Sequence, residues 1–411
     1  MRRTAVTLGA TAAVAGGLAL GFLAERRFLH PRLEPAPPDP AAAQLGSIAG
    51  DLRVIDGPDG LPVTVETYGP KAGAGAGRSR AASATGSARA ASAASTTGSA
   101  RAASAASPAD DVPQLVLSHG WICTGRVWHE QVRGLADRYR IVTYDQPGHG
   151  RTPAPESGEY DLDLLGDTLN AVVEQAAGPG PIVLVGHSLG GMSLLNAVDR
   201  HRESLDERVA GVVLLSTTSR ARPERFTFEF GLHAVAQLEQ GIRRVVPRLR
   251  SSRVSGVTGK VYGSTSDLST LIVRAMAVGP EPDPRVVEFV EQMRATSDPD
   301  MVLGLAEAIL GADVDAGLAR LHAEVSIVVG SHDRLTPRSL SERMAEVSGA
   351  ELIELPGIGH MAPLEAGDEV NAILERHLLA ASRVDHPVDA PSRDERRRKR
   401  PDPQQTRRKA G

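Results

Sequence analysis

The stretch PIVLVGHSLGGM, residues 181–192, runs from an apolar segment into a serine fenced by glycines. Ile182 to Val185 is short, continuous and largely β-branched, the pattern of a strand buried on both faces. Beyond Ser188 the spacing turns helical. A serine at that junction has two readings. It is either a helix N-cap, its hydroxyl satisfying a free amide, or a nucleophile exposed on a sharp strand-to-helix turn, as G-x-S-x-G suggests. Five residues are too few to choose in a chain rich in glycine and serine, so the choice rests on what surrounds them.

Working outward, further apolar runs recur between helical segments. PQLVLSHG (113–120), RIVTYDQPGHG (140–150), VAGVVLLST (209–217), EVSIVVG (324–330) and ELIELPG (351–357) read as strands, while 128–139 and 160–177 have helical spacing. Upstream, LRVIDGPDGLPVTVETYG (52–69) is two β-rich runs about Pro58-Asp59-Gly60, a hairpin with turn chemistry to match. Alternating short strands and helices predict an α/β fold: a mostly parallel β-sheet flanked by helices, which places ligands at the carboxyl ends of its strands. The alternation lapses over 219–300, a stretch holding four of the six phenylalanines (Phe226, Phe228, Phe230, Phe289). It is too long for a plain loop and predicts an inserted helical lid.

The chain has 411 residues, 41% of them hydrophobic, enough for a large core. A net charge of −4 points to no specific nucleic-acid partner. The single cysteine, Cys123, excludes an intramolecular disulfide and a cysteine metal cluster. Arg2 and Arg3 precede an uncharged stretch from Thr4 to Ala24, about the length of a bilayer span. Residues 1–30 are therefore expected to form an N-terminal hydrophobic helix that anchors the chain in a membrane, with a cleaved secretory signal as the alternative. Residues 31–50 read as a proline- and alanine-rich linker, and 51–380 as the folded domain. Within it, 71–110 is an Ala/Ser-rich insertion with TGSARAASAAS repeated at 85–95 and 97–107, a composition that cannot build a core. The tail, 381–411, carries ten basic and five acidic residues and reads as a disordered basic segment.

The polar residues after the strands carry the chemistry. Ser188, Asp333 and His360 occur in that order, each just past a strand's carboxyl end. A hydroxyl nucleophile needs such a set: a base within reach, and an acid that orients the base. Together with His119-Gly120-Trp121, Val127-Trp128, YDQPGHGRT (144–152), GHSLGG (186–191), GSHDRLTP (330–337) and GIGHMAP (357–363), the chain from about Leu52 to Leu379 resembles the α/β-hydrolase superfamily. Within it, the chain is similar to single-domain serine esterases and cofactor-free haloperoxidases. The resemblance implies Ser188 as nucleophile, His360 as general base and Asp333 as its acid, with the backbone N–H groups of Trp121 and Leu189 as the oxyanion hole. Met192, Leu335 and Met361 are read as lining the substrate pocket, with plain core packing as the alternative, and the four phenylalanines of the expected lid hint at an apolar acyl site, while His119, His149, His187 and His332 are read as structural. The chemistry so implied is hydrolysis of a small-molecule ester, a lipophilic one if the chain is anchored, through an acyl-enzyme, with no cofactor and no metal. Three alternatives remain: perhydrolysis and C–C bond hydrolysis on the same residues, and a non-catalytic ligand-binding protein that kept the fold. Oligomeric state is not legible.

Overall fold

The computed structural model describes residues 44–70, 112–221, 273–295 and 297–383. In chain order the elements are β1 (Asp51–Asp56), β2 (Pro62–Tyr68), β3 (Gln114–Ser118), α1 (His129–Leu135), β4 (Arg140–Tyr144), α2 (Leu162–Ala176) and β5 (Ile182–His187). They continue with α3 (Leu189–Arg200), α4 (Arg202–Asp206), β6 (Val209–Leu215), α5 (Pro284–Ala295), α6 (Pro299–Leu310) and α7 (Asp315–Arg320). The last are β7 (Glu324–Gly330), α8 (Arg338–Ser348), β8 (Glu351–Leu355), α9 (Ala362–Glu365) and α10 (Gly367–Ala381).

The strands form one sheet in the order β1-β2-β4-β3-β5-β6-β7-β8. β1 pairs with β2, and β2 with β4, antiparallel; every pairing from β4 to β8 is parallel. The hairpin turn closes at Gly57 N to Leu61 O, 2.7 Å, with Asp59 and Gly60 at positive φ.

Period-two alternation in β5 sends its side chains to two different cores. Ile182 and Leu184 pack with Leu165 and Leu169 of α2 and with Leu194 and Leu195 of α3. Val183 and Val185 pack with Val132 and Leu135 of α1 and with Val370 and Leu374 of α10. Each such side chain contributes roughly 1.5–3 kcal/mol on burial, and burial on both faces is why the strand reads as an unbroken apolar run. The chain passes from β3 outward to β4, then returns to the other side of β3 with β5. That reversal lies between β3 and β5, so the crevice beyond their carboxyl ends is where a ligand fits.

The sequence expectations meet this fold unevenly. Residues 45–50, the end of the expected linker, are packed onto the body: Leu45 and Ile48 join the α1–α10 core, and Gly46 N donates to His129 Nδ1 at 3.0 Å. Part of the expected lid is also body. Arg220 bridges Asp313, and α5 buries Val286, Val287, Phe289, Val290 and Met293 in the same core. Phe289 is only 4% exposed, with the Arg126 guanidinium 5.9 Å from its ring centre. It is a packing residue, not the wall of an open acyl site. Ala381, placed at the head of the tail, is the buried last residue of α10. The rest of the lid (222–272), the Ala/Ser insertion, the tail beyond 383 and the whole of 1–43, including the proposed anchor, lie outside the described residues. Among the described residues, no helix is long and apolar enough to cross a membrane.

Candidate functional site

β5 ends at His187, and α3 begins one residue after Ser188, leaving that serine to make the whole turn. Its backbone stands at φ 52°, ψ −118°, and its side chain caps no helix amide. That disposes of the N-cap reading. A non-glycine residue in such a conformation costs on the order of 1–3 kcal/mol and persists only when its surroundings hold it. Here they do. Ser188 N donates to Leu215 O at 3.0 Å, and Ser188 O accepts from Thr217 Oγ1 at 2.6 Å and from Gly191 N at 2.9 Å. The flanking glycines are needed for space. A Cβ on Gly186 would lie 2.6 Å from Gly190 O, and one on Gly190 would strike Ser118 O and come within 2.6 Å of His119 O. Among the described residues, the other positive-φ non-glycine positions outside the hairpin, Ile122 and Ser216, also follow strand ends. Strain is thus gathered along one rim of the sheet.

Asp333 and His360 meet on that rim, after β7 and β8. His360 Nδ1 lies 3.1 and 3.0 Å from the two Asp333 carboxylate oxygens, and both side chains are buried. The carboxylate can only accept, so Nδ1 carries a proton, and in the neutral ring the lone pair is then on Nε2. Asp333 is held in turn by Leu335 N (2.9 Å), Thr336 N (2.8 Å) and Thr336 Oγ1 (2.8 Å). Burial by itself would raise its pKa. Pairing with His360 and the Thr336 hydrogen bonds outweigh that and hold it below the usual carboxylate range. The structure therefore brings Asp333 and His360 into contact. Ser188 Oγ makes no hydrogen bond to His360 among the described contacts, a looseness common in unliganded sites.

His187 links the two parts. Its Nε2–H donates to His360 O at 2.9 Å, while its Nδ1 has no partner and would lie 2.8 Å from a Cβ on Gly120. The same Cβ would be 3.3 Å from Ser188 Cβ, which puts the His119-Gly120-Trp121 loop against the serine. Burial, with His360 beside it, lowers the His187 pKa to about 3, so the ring is neutral. In this loop Ile122 N donates to His149 Nε2 (3.2 Å) and Cys123 N to Gly120 O (3.2 Å). Among the described contacts the amides of Trp121 and Leu189 have no acceptor. Leu189 opens α3, where an unpaired amide and the helix dipole both favour negative charge.

The other sequence-named residues fall into supporting places. Met192 and Met361 are 2% and 3% exposed and sit in the two different cores, and Leu335 is half-buried. His119 donates to Gly120 O and accepts from Gln146 N; Asp145 accepts from Gly125 N and Arg151 N, fixing the turn after β4. His332 is exposed, and burial pushes the Cys123 thiol up to about 12. Sequence reading missed Thr336, whose Asp-x-x-Thr spacing is a recognisable side-chain-to-backbone turn. It also missed Glu365, which accepts from Gly359, Met361 and Gly279. No local pattern announces a partner as distant along the chain as Gly279.

A mostly parallel sheet carrying a strained serine turn and a buried Asp–His pair on one rim is the architecture of an α/β enzyme, with the candidate site at the strand ends. The chain belongs to the alpha/beta hydrolase fold family, whose model matches residues 113–367, more than half of its length. It is 28% identical over 278 residues to a pimeloyl-[acyl-carrier protein] methyl ester esterase of Methylococcus capsulatus, covering 66% of this chain and 95% of that protein. A shorter match, 35% over 103 residues, is to the non-heme chloroperoxidase CPO-A1 of Kitasatospora aureofaciens, covering 25% of this chain and 36% of that one. Among solved structures, a thermophilic esterase from Thermogutta terrifontis superposes with a TM-score of 0.56 at 18% identity, covering 81% of this chain and all of that one.

Proposed function

We propose that the protein is a serine hydrolase that cleaves carboxylic esters through an acyl-enzyme. Ser188 Oγ attacks the carbonyl while His360 Nε2 takes its proton. The oxyanion rests on the amides of Trp121 and Leu189, and Asp333 stays ionised and stabilises the imidazolium. The proton then passes to the leaving alcohol, and water repeats the sequence on the acyl-enzyme. The single observation that carries this reading is the His360–Asp333 pair, whose hydrogen bonding puts a proton on Nδ1 and so gives the neutral ring its lone pair at Nε2, on the rim that holds the strained Ser188. The ester-cleaving relative, matched over most of its own length, supports the substrate class. In this reading Met192, Leu335 and Met361 lie about the bound substrate, and the insert between β6 and β7 sets its size. The uncharged stretch Thr4–Ala24 supports attachment to a membrane, and with it a lipophilic ester.

The test is labelling by a serine-directed fluorophosphonate alongside hydrolysis of p-nitrophenyl acetate. Wild type is expected to label and turn over, and Ser188→Ala to do neither. Equal labelling of the two refutes the reading. Perhydrolysis is a second reading, favoured by the local match to a chloroperoxidase; peroxide-dependent halogenation that outpaces ester hydrolysis and vanishes in Ser188→Ala would select it.

A further inference from the structure

His360 stands on a short loop between β8 and α9, and a loop of that length does not fix an imidazole by itself. The backbone around it is bonded on every side. His360 N and Met361 N both donate to Ala277 O, at 3.0 and 3.1 Å, and His360 O accepts from His187. The amides on either side of the histidine converge on one carboxylate. Glu365 Oε1 accepts from Met361 N at 3.1 Å, and Oε2 accepts from Gly359 N at 3.3 Å and from Gly279 N at 2.6 Å. Glu365 is itself anchored, since its own N–H donates to Met361 O at 2.9 Å, closing the short helix α9. Two stretches of chain far apart in sequence, Ala277–Gly279 and Gly357–Met361, are thus bonded to one side chain.

The glycines show how close that approach is. A Cβ on Gly359 would strike the Val278 carbonyl carbon and lie 2.5 Å from Gly279 N, and a Cβ on Gly279 would strike Gly357 O. Backbones this close bring amide donors together in a buried space, and a single acceptor that can take three of them is a carboxylate. Burial raises the Glu365 pKa, against the pull of the three amides and of His360. Placing an acid there is unfavourable unless those bonds form.

We propose that Glu365 is a positioning residue for His360: its carboxylate ties the main chain on both sides of the histidine to the Ala277–Gly279 segment and so sets where the imidazole stands. This rests on the proposed role of His360 as general base. Glu365 does not touch the reacting atoms. It acts through the loop, and a displacement of about 1 Å at a catalytic group is enough to cost on the order of a hundredfold in rate.

The test uses the full chain carrying Glu365→Ala, Glu365→Gln or Ser188→Ala. It measures kcat and KM on p-nitrophenyl acetate, the fluorophosphonate labelling rate, circular dichroism, and the downfield proton resonance of the His360–Asp333 hydrogen bond. For Glu365→Ala, kcat and labelling rate are expected to fall about a hundredfold, with KM within about threefold and the resonance shifted or broadened. Glu365→Gln keeps one carbonyl oxygen for Gly279 and Gly359 but sets its NH2 against Met361 N, which keeps only Ala277 O, so kcat should stay roughly three- to tenfold below wild type, with a smaller shift of the resonance than in Glu365→Ala. A folded Glu365→Ala with wild-type kcat, or with lost activity but an unmoved resonance, overturns the proposal. If Glu365→Ala does not fold, Glu365→Gln decides: a lowered kcat with a shifted resonance supports the role, and wild-type values of both overturn it. Ser188→Ala separates the two levels, because equal labelling of that variant removes the general-base reading itself, whatever the Glu365 variants do.

Discussion

Replacing Asp333 by asparagine isolates the tautomer of His360 from everything else the carboxylate does. Oδ1 accepts two backbone amides, from Leu335 and Thr336, and lies 3.1 Å from His360 Nδ1, while Oδ2 faces the Thr336 hydroxyl and the same Nδ1 at 3.0 Å. An asparagine keeps its carbonyl oxygen on the two amides, since its NH2 group there would meet donors. The NH2 then occupies the Oδ2 position. The Thr336 hydroxyl can rotate to accept from it, and His360 Nδ1 can accept only if its proton moves to Nε2. Every polar group stays paired, so stability should change by less than about 2 kcal/mol. Because Oδ1 is already taken by two amides, the ring is driven to the form with Nε2 protonated, which cannot take a proton from Ser188. A base held in the wrong tautomer costs about 10⁴ in rate, or about 5 kcal/mol of transition-state stabilisation. Initial rates on p-nitrophenyl acetate, measured with urea denaturation of the same preparation, read both quantities. A variant within tenfold of wild type would refute the tautomer reasoning. One that loses its fold would refute the claim that all these bonds find partners.

Acidification should destabilise the fold through its buried histidines. His119, His149 and His187 are held neutral by burial, with pKa values lowered to about 4, about 3 and about 3. Protonating His119 or His149 would also turn an accepting Nε2 against the amide of Gln146 or Ile122. The unfolded chain takes up these protons from about pH 6.5 downward and the folded chain does not. Stability is therefore full near neutrality and falls as pH drops, on the order of 2 kcal/mol per histidine by pH 5. The raised pKa values of Asp145 and Glu365, both due first to burial, act in the opposite direction. The urea midpoint should be lower at pH 5 than at pH 7, and an unchanged midpoint would count against neutral burial. For membrane attachment, the full chain should stay with carbonate-washed membranes; recovery in the supernatant refutes it.

Much of the rim was legible because its elements are local. The strand at 182–187 announces itself by an unbroken apolar run, and the glycines around Ser188 by their spacing; the order of Ser188, Asp333 and His360 needs no coordinates either. Less legible were residues whose role depends on what meets them. Phe289 looked like part of an acyl site because aromatic content says nothing about direction, yet α5 turns it into the core. Residues 45–50 looked like linker because Leu45 and Ile48 are isolated apolar positions, and only the surface they land on makes them part of the body.

The sequence by itself determined the α/β alternation, the family and the chain order of the three polar residues, because strand burial and turn chemistry act over a few neighbouring positions. Tertiary structure alone decided which nitrogen of His360 faces a carboxylate, that Ser188 caps nothing, and that Gly279 and Gly359 share one carboxylate. Those facts depend on hydrogen bonds between segments tens of residues apart, and a bond of that kind leaves no period or spacing in either segment.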